Sequence, residues 1–358
     1  MATPADGIVS AMSSLVPELL RVAVVGCGAV TELYHLPALL GSRQVKVVAL
    51  IDPAVERARA LAARVEAPAV YASHTELPPT VDLALVAVPN ALHEPITSDL
   101  LRAGVHVLVE KPMARSVGEC DRMLAAASET GAILAVGHDF RHYPVARYAR
   151  DLLAADLLGA VRRVDVRQST GVGWPAVSPA VLSREAGGGV LIDFGVHLLD
   201  LLLWWLGELR VLAYRDDAAG GVESECECEM ELPNGAPVWM ELSRTRSLRD
   251  TVLVECERGT VELGVFDPAV VRLSAPGVAA LTGMVPDIEF ERAPMRTVFS
   301  RQLADVVTAI RDRREPLVPG WQGRRAVALV EASYSLRQPI RYPWDFPAAY
   351  TSVRRVGP

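Results

Sequence analysis

The sequence predicts an α/β protein: an N-terminal Rossmann-type, doubly wound parallel sheet, then an α+β domain built on a large, mostly antiparallel, open-faced sheet. Three observations lead there. The first 140 or so residues alternate short Val- and Leu-rich runs with helix-like stretches, the pattern of successive strand–helix units. A glycine-rich turn, "VVGCGAVT", follows the first of those runs. From about residue 211 to 274 the strand-like segments follow one another with no helix between them, and Asn234-Gly235 stands between two of them as a hairpin signal.

Taken in order, "RVAVVG" from Arg21, "VKVVALID" from Val45, "VDLALVAVPN" from Val81, "HVLVE" from His106 and "AILAVG" from Ala132 read as buried strands. They are short and end in Gly, Asp or Pro. Helical stretches such as "VERARALAARV" and "GECDRMLAAASET" lie between them. After Tyr143 a helix, "VARYARDLLAADL", precedes a strand, "VRRVDVRQST", a glycine-rich turn and a strongly apolar helix over Leu191–Leu206. The strands "VESECECEMEL", "APVWMELSR", "DTVLVECE" and "TVELGV" follow, and then helices near Arg301–Arg313 and Gly323–Leu336. This divides the chain into a leader (1–20), a dinucleotide-binding domain (21–142), a substrate and oligomerisation domain (143–340) and a tail (341–358).

Composition narrows the function. With 51% apolar and 22% charged residues, the 358-residue chain has the make-up of a soluble globular protein. A net charge of −7 argues against nucleic acid or an anionic membrane as partner. No apolar run reaches membrane-spanning length, and the first twenty residues lack an export signal. Five cysteines without metal-like spacing fit a reduced, cytoplasmic protein, with Cys226 and Cys228 pointing inward from a strand. Glu225, Glu227, Glu229 and Glu231 alternate with them and read as a solvated strand face. Carboxylates in a straight row diverge and suit a metal badly; no metal is expected.

The glycine turn offers Gly26, Cys27, Gly28, Ala29 and Val30 to a pyrophosphate, at the positive end of the following helix. Thr31 takes the third small-residue position, usually Gly or Ala. Asp52 ends the next strand and either accepts hydrogen bonds from both hydroxyls of an adenosine ribose or caps the helix after Pro53. The ribose reading favours NAD over NADP; Arg57, which reaches toward a 2′-phosphate, is the counter-signal.

Of the 36 basic residues only Lys46 and Lys111 are lysines, leaving 34 arginines (36 − 2 = 34). Lys111 sits just past a parallel strand, between Glu110 and Pro112, where such sheets bind ligands. A lysine there supplies a compact ammonium whose pKa answers to its surroundings, which arginine does not. The isomer of the Lys-Pro bond is open. Asp193 and His197, four apart, share one helix face. An imidazole can take a hydroxyl proton. The aspartate orients the substrate or biases His197, or the two are a cap and a core histidine. Asp200 orients His197 or faces the other domain.

Taken together, "VVGCGAVTELYHLPAL", "VAVPNALHEP", "VEKPMA", "GHDFRHYP" and "GGGVLIDFGVHLLD" resemble the glucose–fructose oxidoreductase / inositol dehydrogenase (Gfo/Idh/MocA) family, from Arg21 to about Ile340. The resemblance implies a redox step with NAD(P) on a sugar, amino sugar, nucleotide sugar or cyclitol. It carries catalytic roles to Lys111, Asp193 and His197, and a loop beneath the coenzyme to Val88, Pro89, Asn90 and His93. Glu110 holds Lys111 or reaches the nicotinamide ribose. Arg141 and Tyr143 line the pocket or pin the domain junction; Trp174 stacks on a sugar face or anchors its loop. Two other classes stay in view, an NAD-dependent glycosidase working by transient oxidation and a non-catalytic dinucleotide-binding regulator. An apolar open sheet face would be covered by a copy of itself, giving a homodimer or homotetramer.

Overall fold

The computed structural model of the protein describes residues 19–340 apart from 67, 171–182, 184, 265–269, 276–277 and 285. Its first layer is a six-stranded parallel sheet: β1 (Leu20–Val25), β2 (Val45–Ile51), β3 (Ala69–Tyr71), β4 (Leu83–Val86), β5 (His106–Glu110) and β6 (Leu134–Gly137), in the order β3-β2-β1-β4-β5-β6. Val22–Val25 of β1 and all of β4 are apolar and buried because both faces of the sheet are covered. The strand order reverses between β1 and β4, so their C-terminal ends open the crevice where such sheets bind ligands. β3, three half-buried residues at the edge, has too little apolar pattern to announce itself.

Gly26 follows β1 with φ +97°, and a Cβ there would lie 2.1 Å from the Ala87 carbonyl oxygen. Only glycine lets the chain turn at this point. The next helix spans 29–41 and begins with a wide π-type turn, Thr31–His35.

The second layer is a nine-stranded sheet of β7 (Val161–Ser169), β8 (Arg210–Asp216), β9 (Glu225–Glu231), β10 (Pro237–Ser243), β11 (Thr251–Cys256), β12 (Gly259–Gly264), β13 (Val270–Ala275), β14 (Val278–Met284) and β15 (Arg337–Pro339). The order is β14-β13-β12-β11-β7-β10-β9-β8-β15. It is antiparallel except where β7 meets β10 and β8 meets β15. The Asn234-Gly235 turn joins β9 to β10, with Gly235 at φ +84°. The inner face, including Val164, Val166, Met240, Leu242, Val252, Val254, Cys226 and Cys228, buries against the helix Val196–Leu206.

The outer face is charged. Arg163 and Arg167 bracket Asp165, Arg215 reaches Glu227 and Glu229, and Arg249 and Arg272 share Glu262. The face is thus more polar than the apolar one expected, with Trp239 and Leu253 half-buried among the charges. Ion pairs near a surface are worth about 0–1 kcal/mol each, so this row contributes more to polarity than to stability. Glu225 also departs from its expected place. It is buried at the start of β9, because Ser243, Thr245 and Arg246 converge on its carboxylate from the end of β10.

The late helices return to the first layer. Leu303, Val306 and Val307, on the helix Pro294–Asp312, pack with Val22, Val24, Leu36 and Leu39. Val327, on the helix Gly320–Ser335, packs with Val136 and Val318. The parallel sheet needs cover on both faces, and chain distant in sequence supplies part of it. No described helix is long and apolar enough to cross a membrane.

Candidate active site

At the coenzyme end, main chain does most of the shaping. The Thr31 hydroxyl donates to the Gly26 carbonyl at 2.7 Å, so this departure from Gly or Ala clamps the turn from within. Asp52, 5% exposed, accepts from Cys27 N at 3.0 Å and from Ala54 N at 2.8 Å. One carboxylate thus ties the glycine turn to the Asp52–Ala54 turn that leads into the next helix, whose N-cap is Ala54, with two lone pairs left for a ligand. Arg57, 45% exposed, lies 4.0 Å from it. The first turn of helix 29–41 has no side-chain cap, which leaves its N–H groups for an anion. The residues present thus fit a dinucleotide: a glycine turn no Cβ could occupy, an uncapped helix start, and a carboxylate at the end of β2.

The loop after β4 is tied down on two sides. Asn90 Nδ2 donates to the Gly187 carbonyl at 3.0 Å. His93, 1% exposed, sets Nδ1 2.8 Å from the Pro112 carbonyl and Nε2 2.9 Å from the Val88 carbonyl. Both ring nitrogens are engaged, so His93 braces the loops after β4 and β5 and touches a ligand only through them.

The Lys111-Pro112 bond is cis. Lys111 Nζ donates to the Asp193 carbonyl oxygen at 2.7 Å and to Asp193 Oδ1 at 3.1 Å. Asp193 lies in the π-type turn Leu191–Gly195 that opens the apolar helix. Its other oxygen accepts from Arg244 at 2.6 Å. Burial opposes ionisation of this aspartate, but Lys111 and Arg244 prevail and hold its pKa at about 2. Burial likewise pulls the Lys111 pKa down, yet Asp193 and Glu110 outweigh it, and the net shift is upward. Lys111 is therefore a fixed ammonium with two of its three N–H bonds on Asp193. Glu110 accepts from Lys111 N at 3.1 Å and contacts His35 Nε2 at 2.7 Å. Burial would raise its pKa, but His35 and Lys111 lower it.

His197 stands on the same helix as Asp193, its ring stacked on Phe140 at 4.4 Å and 20°. Its Nδ1 is 3.2 Å from Asp139 Oδ1, close but off the line of a hydrogen bond. Asp193 thus serves Lys111 rather than His197. Asp200 serves Arg141, which it binds with both oxygens at 2.6 and 2.7 Å. Arg141 and Asp200 are wholly enclosed, and Arg141 also reaches the Leu317 carbonyl and Gln322. Arg141 is thus buried between the layers with its guanidinium bonded to Asp200, Leu317 and Gln322. The Tyr143 hydroxyl meets Met295 Sδ at 3.2 Å, between Phe140 and Phe290. Trp174 lies outside the described residues.

Three participants were not foreseen. His35 and Arg244 pair with carboxylates 75 and 51 residues away, beyond any local pattern. Asp139 sits inside the quoted "GHDFRHYP" motif, but nothing in that string says which way its side chain turns.

Known proteins share this fold. Two family models match: the oxidoreductase family with an NAD-binding Rossmann fold over residues 20–138, and the GFO/IDH/MocA C-terminal domain over residues 146–262. The chain belongs to the Gfo/Idh/MocA family. One relative is dTDP-3,4-didehydro-2,6-dideoxy-alpha-D-glucose 3-reductase of Streptomyces violaceoruber, 34% identical over 57% of this chain and 60% of its own. The match thus spans about three-fifths of that relative. Another is D-glucoside 3-dehydrogenase of Escherichia coli, 28% identical over 66% of this chain and 74% of its own. In fold, the chain is similar to a 3-ketoreductase of Actinomadura kijaniata solved with NADP and TDP-benzene (TM-score 0.80, 23% identity, 91% of this chain and all of that one).

Proposed function

We propose that this protein is an NAD(P)-dependent oxidoreductase that interconverts a secondary alcohol and a ketone on a sugar ring. Carbon 3 of a hexoside or nucleotide-linked deoxyhexose is the first position to test. The observation that carries the reading is the Lys111–Asp193 contact, which brings a lysine after β5 and the helix bearing His197 to one place. The position of the reacting carbon follows the relatives, two of which are named for reduction or oxidation at that carbon.

Gly26 to Val30, Asp52 and the loop Val88–Asn90 are the residues that would hold the dinucleotide. A nicotinamide held there would supply the hydride acceptor in oxidation and the hydride donor in reduction for the carbon bearing the oxygen. Lys111 keeps its proton and directs its remaining N–H at the substrate oxygen, stabilising negative charge as it develops. His197 takes the hydroxyl proton in oxidation and gives it back in reduction. Asp193, restrained by Arg244, fixes where the ammonium points.

The test is a panel of hexoses, alkyl and aryl glucosides, nucleotide-linked hexoses and inositols, each with NAD⁺ and with NADP⁺, following reduced coenzyme by absorbance. Accumulation with a hexoside or nucleotide sugar is expected. Aglycone release without reduced coenzyme would replace the dehydrogenase with a glycosidase. Coenzyme binding without turnover on any member would leave a regulator.

A further inference from the structure

We propose that Asp139 is the positioning residue of His197: its carboxylate accepts the Nδ1 proton of the imidazole and so leaves Nε2 as the nitrogen that removes the substrate's hydroxyl proton. This deepens the reading above and rests on His197 as the proton acceptor.

The charged groups around His197 come from three places. Its own helix carries Asp193 and Asp200. The segment after β6 carries His138, Asp139 and Arg141, with the His138 ring 6.1 Å from that of His197. The end of β5 carries Glu110 and Lys111. Of the four carboxylates, three are committed. Asp193 gives one oxygen to Lys111 and the other to Arg244. Asp200 gives both to Arg141. Glu110 gives one to His35 and one to Lys111 N.

Asp139 is the exception. Among the described residues its Oδ1 has no hydrogen-bond partner, and neither has His197 Nδ1. The two atoms lie 3.2 Å apart, on side chains 8% and 9% exposed. Two buried polar atoms left unmatched at that distance satisfy each other at little cost, since each otherwise bears its own desolvation. Phe140, nearly parallel to the imidazole, restrains rotation of the ring about its Cβ–Cγ bond. A small rotation of the Asp139 carboxylate about its own side-chain torsion, which is broad and soft, brings an oxygen onto the line of the Nδ1–H.

The consequence is chemical. A neutral imidazole has one N–H, and its tautomer is set by what the other nitrogen faces. With the proton held at Nδ1 by Asp139, Nε2 presents its lone pair. When the substrate's O–H breaks, its proton forms the new Nε2–H bond. The Nδ1 proton stays where it was, and the imidazolium is balanced by a carboxylate that itself stays ionised. In the reverse direction the same Nε2–H returns its proton to the oxygen.

The experiment uses the full chain with ¹⁵N-labelled histidine, at a pH above the imidazole range. There are seven histidines to resolve, and His197 is assigned by its disappearance in His197→Gln. The wild type is expected to show Nδ1 protonated and Nε2 bare. Asp139→Ala and the near-isosteric Asp139→Asn should each transfer the proton mainly to Nε2, with coenzyme affinity unchanged as the check on folding. On the active member of the sugar panel, Asp139→Asn should lower kcat by about 10²- to 10⁴-fold. In the His197→Gln background it should change kcat by less than about twofold, because the two act as one unit. A wild-type Nε2–H tautomer, or one that neither variant alters, overturns the role of Asp139. Wild-type turnover in His197→Gln instead removes the base assignment, leaving the tautomer result to stand by itself.

Discussion

The two ends of the proposed site are built on opposite plans. The coenzyme end uses neighbouring chain and mostly backbone: a glycine turn, the start of a helix, and one aspartate hydrogen-bonded to two main-chain N–H groups. The reaction end uses side chains gathered from separate segments, Lys111, Asp139, Asp193, His197 and Arg244; ion pairs from Asp193 to Lys111 and Arg244 join both layers, and Asp139 lies beside His197. A backbone site tolerates many side chains but no added Cβ at the wrong place. A side-chain site has the opposite sensitivity: it depends on each charge having its partner. Substitutions at the two ends should therefore separate binding from turnover.

The largest separation is expected at Lys111. Removing one preorganised donor to a developing oxyanion costs about 10²- to 10³-fold in kcat, so Lys111→Ala should lose that much. Coenzyme affinity, measured by fluorescence of the reduced form, should move by less than about threefold, equivalent to a fraction of a kcal/mol. An affinity loss as large as the loss in kcat would mean the ammonium belongs to the coenzyme end. Lys111→Arg should recover little, since a planar fork replaces a point charge.

Asp193 gives the same comparison in stability. Its folded pKa, about 2 against an ordinary 3.8, is depressed, so the ionised form stabilises the fold. That contribution is present in full above about pH 4 and is lost as the pH falls through about 2. The shift corresponds to about 2 kcal/mol. Urea denaturation of wild type and Asp193→Asn should show a difference of that order at pH 6, narrowing below pH 4. A difference independent of pH would mean that packing, not charge, holds this turn.

Gly26 tests the other end. Alanine there meets both an unfavourable φ and the Ala87 carbonyl, so the turn must open. Coenzyme affinity should fall about tenfold or more, about 1.4 kcal/mol, with kcat at saturating coenzyme close to wild type.

This contrast also explains what could be read in advance. The strands, the glycine turn, the hairpin at Asn234-Gly235 and the apolar helix follow from periodicity and from residues with special backbone preferences, both local properties. Lys111, Asp193 and His197 stood out by residue type and motif. Which carboxylate serves which cation did not. Asp193 and Asp200 lie on one helix, yet one faces Lys111 and the other Arg141. The choice depends on what the opposite layer presents, and that is fixed only when the layers meet. His35, Arg244 and Asp139 were hidden for the same reason, as was the return of the helix Pro294–Asp312 to the first sheet.

The smallest effect concerns the choice of coenzyme, where a carboxylate and a guanidinium pull in opposite directions. Asp52 suits a ribose with free hydroxyls and would repel a 2′-phosphate. Arg57 is 4.0 Å away and 45% exposed, so its side chain has room to swing toward such a phosphate at little cost. If the guanidinium offsets the carboxylate, the wild type should bind NADH and NADPH within about tenfold of each other, one charge-assisted hydrogen bond in an exposed site being worth about 1 kcal/mol. Arg57→Ala should then weaken NADPH by about three- to tenfold and leave NADH within twofold. Equal weakening of both would make Arg57 a support for Asp52. A wild type strongly selective for NADH, with the ratio unmoved by Arg57→Ala, would return the choice to Asp52 by itself.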